Sequence, residues 1–134
     1  FDVGSNELVG SLPYHIGNLP VLEAFLVPNN QLMGTIPFSF SRDDSKIQSL
    51  NFELNRLSGT VPAGLADIPP LKELFIDGNK LTGSVPRSLC RLNLYEYYFS
   101  GNEIGKESKA NPELLLLLRV VEKRPRKFNN FKAG

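Results

Sequence analysis

One eight-residue phrase recurs four times along the chain: "NELVGSLP" at 6–13, "NQLMGTIP" at 30–37, "NRLSGTVP" at 55–62 and "NKLTGSVP" at 79–86. Its asparagines are Asn6, Asn30, Asn55 and Asn79, and a weaker fifth copy, "FSGNEI", adds Asn102, so the steps are 24, 25, 24 and 23 residues. A fixed period of this length is one supersecondary unit. Such a unit is too small to bury a core alone and must stack on its neighbours.

What the unit contains can be read backwards from each asparagine. Apolar residues stand three, five and eight places earlier: Val27, Phe25 and Leu22; Phe52, Leu50 and Ile47; Ile76, Leu74 and Leu71; Phe99, Tyr97 and Leu94. The first copy begins inside its strand, with Val3 and Phe1 at minus three and minus five. Positions minus three and minus five have a period of two, which makes a strand with one buried face. After each of the first four asparagines come Gly and Pro. The chain is therefore expected to leave the strand, turn, and run outside any ladder, Gly giving backbone freedom and Pro lacking an N–H. Each asparagine side chain is placed to bond backbone groups left open where the strand bends.

The pattern L-x-x-L-x-L-x-x-N-x-L-x-G-x-I-P resembles the plant-type leucine-rich repeat, over roughly residues 1–104 and with four copies in phase. The resemblance implies an α/β-type repeat solenoid: a right-handed leucine-rich-repeat coil with a parallel β-sheet on its concave face and irregular or 3-10 convex segments. Two departures stand out. "SFSRDDSKIQ" at 39–48 holds one extra, charged residue, predicting a bulged convex loop, and the fifth copy lacks Gly-x-x-Pro, predicting that the solenoid stops near Gly105. The expected organisation is residues 1–105 as solenoid, about five repeats with the first incomplete, and residues 106–134 as a tail.

With 134 residues, 41% hydrophobic and no tryptophan, the chain suits one narrow, elongated core. Its net charge of +1 is uneven. Residues 111–134 carry Arg119, Lys123, Arg124, Arg126, Lys127 and Lys132 against Glu113 and Glu122, so +4 belongs to the tail and −3 to the remainder. Cys90 is the only cysteine, which excludes an internal disulfide. Its place in "SLCRL", beside Leu89 and Leu92, reads as an interior structural thiol or, alternatively, as a partner for something outside this chain. Relatives of the plant type are mostly secreted or membrane-anchored, often with paired cysteines in an N-terminal cap; here neither is found. The chain begins without methionine or a signal peptide and has no Asn-x-Ser/Thr sequon, so a stretch of a longer array is expected.

The tail "NPELLLLLRVVEKRPRKFNNFKAG" leaves three readings open. Asn111-Pro112-Glu113 suits a helix start for a short helix capping the last repeat; the basic end suits a solvated extension; and "EKRPRK" could touch a membrane surface or nucleic acid. Leu114 to Val121 is too short to span a bilayer, which needs about 20 residues.

Catalysis and cofactors find no foothold. His15 is the only histidine and falls in a loop, "LPYHIG", where a polar surface residue is expected. The carboxylates are scattered singly apart from adjacent Asp43 and Asp44, with no fixed separation across a cleft. The glycines recur at repeat spacing rather than as a phosphate loop. The expectation is a protein that is not an enzyme and needs no cofactor or metal.

Function must then come from outward strand positions. Stacking puts Asp2, Leu26, Asn51, Phe75 and Tyr98 in a central column, Ala24, Ser49, Glu73 and Glu96 before it, and Gly4, Pro28, Glu53, Asp77 and Ser100 after it. Toward the C-terminal end two aromatics meet four carboxylates, and exposed apolar groups framed by charge mark interaction sites; outward positions drifting without function is the competing reading. Five strands at about 4.8 Å give a face roughly 19 Å across, which suits about six extended residues. Leu26, Asn51, Glu53, Glu73, Phe75, Asp77, Glu96 and Tyr98 are therefore the candidate partner-binding residues, and Asn6, Asn30, Asn55, Asn79 and Asn102 the structural ones. The expected function is a non-catalytic module of a receptor-like or secreted protein that binds a protein or peptide, not nucleic acid, on its concave sheet. Alternatives are an inhibitor of a secreted wall-degrading enzyme and a structural spacer. The resemblance implies an extracellular or membrane-anchored ectodomain, with any membrane contact made through parts outside this chain.

Overall fold

The structure, a computed structural model, describes residues 1–40 and 44–105. Eight short strands follow in chain order: β1 (Val9–Ser11), β2 (Ala24–Leu26), β3 (Gln31–Gly34), β4 (Ser49–Asn51), β5 (Arg56–Thr60), β6 (Glu73–Phe75), β7 (Lys80–Thr82) and β8 (Glu96–Tyr98). They form two parallel sheets of four, β2-β4-β6-β8 and β1-β3-β5-β7. Each repeat is thus one strand of the first sheet, a sharp turn, one strand of the second, and a 3-10 turn that returns the chain. The 3-10 turns run Ile16–Asn18, Phe38–Phe40, Ala63–Asp67 and Arg87–Arg91.

The first sheet follows the period. Phe25 pairs with Leu50, Leu50 with Leu74 and Leu74 with Tyr97, equivalent repeat positions in every case. Leu50, Leu71, Leu74 and Ile76 are fully enclosed, as alternate strand residues facing a solenoid interior must be. The N-terminal half of the core is aromatic, with Phe25, Phe40 and Phe52 in mutual contact at ring-centroid distances of 5.7–6.0 Å. Toward β8 the enclosure weakens: Leu94 and Tyr97 are only partly buried.

The second sheet corrects the sequence reading, which put the Leu-x-Gly half of the motif outside any ladder. Only the proline half stays outside. The pairing is staggered by two residues, so that Gly10 faces Leu32, Gly34 faces Leu57 and Gly59 faces Leu81. Between the two sheets the chain turns through a left-handed residue just before each asparagine: Ser5, Asn29, Leu54, Gly78 and Gly101 all have φ between 52° and 69°.

A further correction concerns Cys90, which is exposed rather than interior. It lies in the Arg87–Arg91 turn, and a 3-10 turn repeats every three residues. Leu89 and Leu92 therefore share the inward face, and Cys90, one step on, leaves it. Of the bulge expected between Phe40 and Ile47, residues 41–43 lie outside the described residues, as does the whole tail, 106–134.

Candidate binding face

The asparagines fix the strands of the first sheet from behind. Asn55 donates its side-chain amide to the carbonyls of Val27 (2.9 Å), Phe52 (3.2 Å) and Glu53 (3.1 Å) and accepts from the Leu32 N–H (3.0 Å). Asn79 does the same one repeat later, with the carbonyls of Phe52, Ile76 and Asp77 and the Leu57 N–H. Asn30 and Asn102 make corresponding sets, the latter accepting from the Leu81 N–H at 2.9 Å. Asn6 is exposed and, among the described residues, bonds only the Val3 and Gly4 carbonyls of its own repeat. Each inner asparagine thus ties two turns of the coil together, because its amide reaches the preceding repeat and its oxygen caps the second-sheet strand there.

With the strands held in that register, the outward side chains align. Asp2 bridges Leu26, which pairs with Asn51, then Phe75, then Tyr98. Phe75 and Tyr98 stack with centroids 5.5 Å apart and planes 17° from parallel. Each covers the other, so both are half-buried rather than fully exposed. Ala24, Ser49, Glu73 and Glu96 form the column before. Glu73 and Glu96 are therefore like charges directly opposed on neighbouring strands, a costly juxtaposition unless the carboxylates are otherwise engaged. They are engaged: the Tyr95 hydroxyl donates to Glu73 Oε1 at 2.7 Å and the Tyr98 hydroxyl to Glu96 Oε1 at 3.4 Å. The bond to Glu73 raises the Tyr95 phenol above its ordinary value, helped by partial desolvation and by the charges of Glu73 and Glu96.

Two residues depart from the sequence list. Asp77 is 4% exposed and does not offer a carboxylate on the surface. Its carbonyl accepts from both the Leu54 N–H (2.9 Å) and the Asn79 amide (3.3 Å), and its side chain is one methylene shorter than that of Glu53, which remains half-exposed. Tyr95 is the residue that sequence reading missed. It belongs to a further column seven places before each asparagine, Glu23, Gln48, Lys72 and Tyr95, linked by successive backbone bonds. The signal was present, since all four positions carry large polar side chains. Leu26, Asn51 and Glu53 are brought onto the same face, Asn51 turning its Oδ1 onto the Glu53 N–H at 2.9 Å rather than presenting it outward. His15 and Tyr14 are exposed, lie in the loop before the first 3-10 turn, and touch one another edge to face. Among the described residues no group of three or more His, Cys, Asp or Glu side chains is placed to hold a metal ion.

This geometry has close parallels among known proteins. Residues 70–92 match the family described as Leucine Rich Repeat. No curated protein sequence matches the chain. Among solved structures, it is similar to a chain of the BIR3–SERK2 complex from Arabidopsis thaliana, with 28% identity and a TM-score of 0.69 over 75% of this chain and 54% of that one. It is also similar to the plant peptide hormone receptor RGFR1 in complex with RGF2, with 35% identity, a TM-score of 0.71, and 75% of this chain covered against 16% of that one. A third likeness is to a structure of the Arabidopsis receptor kinase HAESA in complex with the peptide hormone IDA and the co-receptor SERK1, with 27% identity, a TM-score of 0.70 and coverage of 77% and 17%. The chain thus spans about half the length of the first of these and about one sixth of the other two. The four in-phase copies, the asparagine ladder and these likenesses together identify the chain as a plant-type leucine-rich-repeat protein.

Proposed function

We propose that this chain is a non-catalytic binding module that holds an extended protein or peptide segment across its concave sheet, within an extracellular or membrane-anchored ectodomain. The observation that carries the reading is the stacked Phe75–Tyr98 pair in the central column, bordered by Glu73 and Glu96. Backbone rigidity there comes from the asparagine ladder, so the side chains are ordered before any partner arrives, which reduces the entropy lost on binding. The aromatic step accepts an apolar side chain. The opposed carboxylates favour a neighbouring Lys or Arg, whose charge would relieve their mutual repulsion. Support also comes from the structural likenesses, two of which carry a peptide hormone in their complexes.

Aromatic anchors at the centre of an interface are worth about 2 kcal/mol or more when truncated, whereas rim charges act mainly on association rate and its salt dependence. Replacing Phe75 and Tyr98 by Ala is expected to abolish capture of the partner from an extract of the source organism while leaving the circular dichroism spectrum unchanged. Replacing Tyr14 and His15 is expected to leave capture intact. Retention by the first pair and loss by the second would move the binding face to the other side of the coil.

A further inference from the structure

The two opposed carboxylates of the concave face are flanked by tyrosines on both sides. Tyr95 stands one residue before Glu96 and carries its hydroxyl across to Glu73 Oε1 on the neighbouring strand, at 2.7 Å. Tyr98 stands two residues after Glu96 and turns its hydroxyl back to Glu96 Oε1, in a longer bond of 3.4 Å. Glu73, Glu96, Phe75 and Tyr98 are all half-buried, so charges in the slot between the phenols are screened less than on open surface. Both tyrosine bonds fall on Oε1. Among the described residues the second oxygen of each carboxylate receives no hydrogen bond, and no Lys or Arg pairs with either group, Lys72 beside Glu73 included. Two negative charges thus face each other across one strand spacing, about 4.8 Å, and the described part of the chain supplies them with hydroxyls but no cation.

We propose that this slot takes the guanidinium of an arginine in the partner segment, and that Glu73, Glu96 and Tyr95 set a preference for arginine over lysine. The inference rests on the concave-face reading above and names the side chain that face selects. A guanidinium is planar, offers five N–H donors in a rigid fork and stacks on aromatic faces. One edge can therefore serve each carboxylate while the flat side lies against a phenol ring. An ammonium is a compact, strongly hydrated charge; it serves one carboxylate well and gives up more water on entering a half-buried slot. A divalent cation fits worse, since calcium takes about six to eight oxygens and two carboxylate oxygens stand open here. Tyr95 acts as a positioning residue: by holding Glu73 Oε1 it restricts the rotation of that carboxylate before the partner arrives, which lowers the entropy lost on binding. The stacked rings of Phe75 and Tyr98 beside the slot receive the apolar side chain. The recognised feature is then an arginine and an apolar residue on one face of an extended segment.

The test uses the full chain and three acetylated, amidated peptides, Leu-Gly-Arg, Leu-Gly-Lys and Leu-Gly-citrulline, titrated by calorimetry or by tyrosine fluorescence, the chain having no tryptophan. The arginine peptide is expected to bind about threefold tighter than the lysine peptide and about tenfold tighter than the citrulline one, which keeps the shape and lacks the charge. Glu73→Gln and Glu96→Gln preserve the fold, because they keep side-chain shape and remove a like-charge repulsion. Each is expected to weaken the arginine peptide about tenfold and to leave the citrulline peptide unchanged. Tyr95→Phe releases Glu73 without altering charge, and is expected to erase the margin over lysine while keeping that over citrulline; an unchanged arginine-to-lysine ratio overturns the part given to Tyr95. Equal binding of the three peptides, still lost with Phe75→Ala, overturns the arginine slot and leaves the concave-face reading standing. Arginine-selective binding that survives Phe75→Ala supports the slot and removes the aromatic anchor from that reading. Binding of none of the three at millimolar concentration overturns both.

Discussion

Both sheets are parallel and both are generated by the same repeat, yet they stack differently. In the β2-β4-β6-β8 sheet equivalent positions face each other, so a side chain meets its own counterpart from the neighbouring repeat. In the β1-β3-β5-β7 sheet the two-residue stagger sets each glycine against the next repeat's leucine. The first arrangement builds ladders. A ladder of identical asparagines multiplies one hydrogen-bond pattern along the interior, and a ladder of unlike outward residues, Leu26, Asn51, Phe75, Tyr98, makes a graded surface without disturbing it. The second arrangement fixes its glycines and leucines and leaves Val9, Met33, Ser58 and Thr82, equivalent positions of successive repeats, outside. The same repeat therefore yields one sheet in which equivalents align and one in which each glycine is set against its neighbour's leucine.

The sharpest break of this contrast is in the asparagine ladder. Asn55 and Asn79 are buried and each makes four bonds. Asn55→Ala or Asn79→Ala strands carbonyls and an N–H with no water to replace the amide, at about 1–3 kcal/mol each. Asn6→Ala, at an exposed site with two local bonds, is expected to cost about 0.5 kcal/mol or less. Urea melts of the three variants measure the difference, and equal, negligible losses would remove the ladder from the list of what holds the strands.

Next in size is the second sheet's dependence on glycine. Gly59 has φ +79°, and a Cβ there would sit 2.9 Å from Thr35 Cγ2, one repeat away. Gly59→Ala combines a left-handed backbone, costing roughly 1–2 kcal/mol for an L-residue, with that contact. A loss of that order in the melt, partly relieved by pairing the variant with Thr35→Ser, is expected. No loss would show that the stagger tolerates side chains after all.

The comparison also explains what could be read from the sequence. The first sheet was legible to the residue, because a ladder of equivalents writes its period directly: Leu50 and Leu74, Phe52 and Ile76, are both repeated and enclosed. The second sheet was not, because Gly and Pro read as breakers, and the stagger pairs unlike letters that no in-phase comparison aligns. Cys90 was misplaced for a similar reason, since its neighbours' burial follows a three-residue turn rather than adjacency. The central column was visible as a register, but the stacking of Phe75 on Tyr98, the burial of Asp77 and the engagement of Glu73 by Tyr95 depend on side-chain length and rotamer, which spacing does not encode.

If outward columns are free to vary without cost to the core, the stacked pair should be energetically local. Phe75→Ala and Tyr98→Ala, singly and together, form a double-mutant cycle whose coupling is expected at about 0.5–1.5 kcal/mol, the usual worth of an aromatic pair. Near-zero coupling in thermal or urea unfolding would mean that each ring packs on its own strand and not on the other.

The smallest effect concerns Tyr95 and Glu73. The phenol is raised because ionising it would break the 2.7 Å bond and set a phenolate against the carboxylate. A group whose proton is held more tightly in the folded state stabilises that state fully below its unfolded value, near 10, and the contribution fades as pH climbs through the raised folded value. Tyr95 is well exposed, so screening by water keeps the stability effect slight. The titration itself is the better readout. Glu73→Gln keeps an acceptor but removes the charge, and the phenolate absorbance step assigned by its disappearance in Tyr95→Phe is expected to move down toward 10. An unmoved step would show that Glu73 is not held by Tyr95 in solution and that the acidic column stands free, with its repulsion from Glu96 uncompensated until a cationic partner arrives.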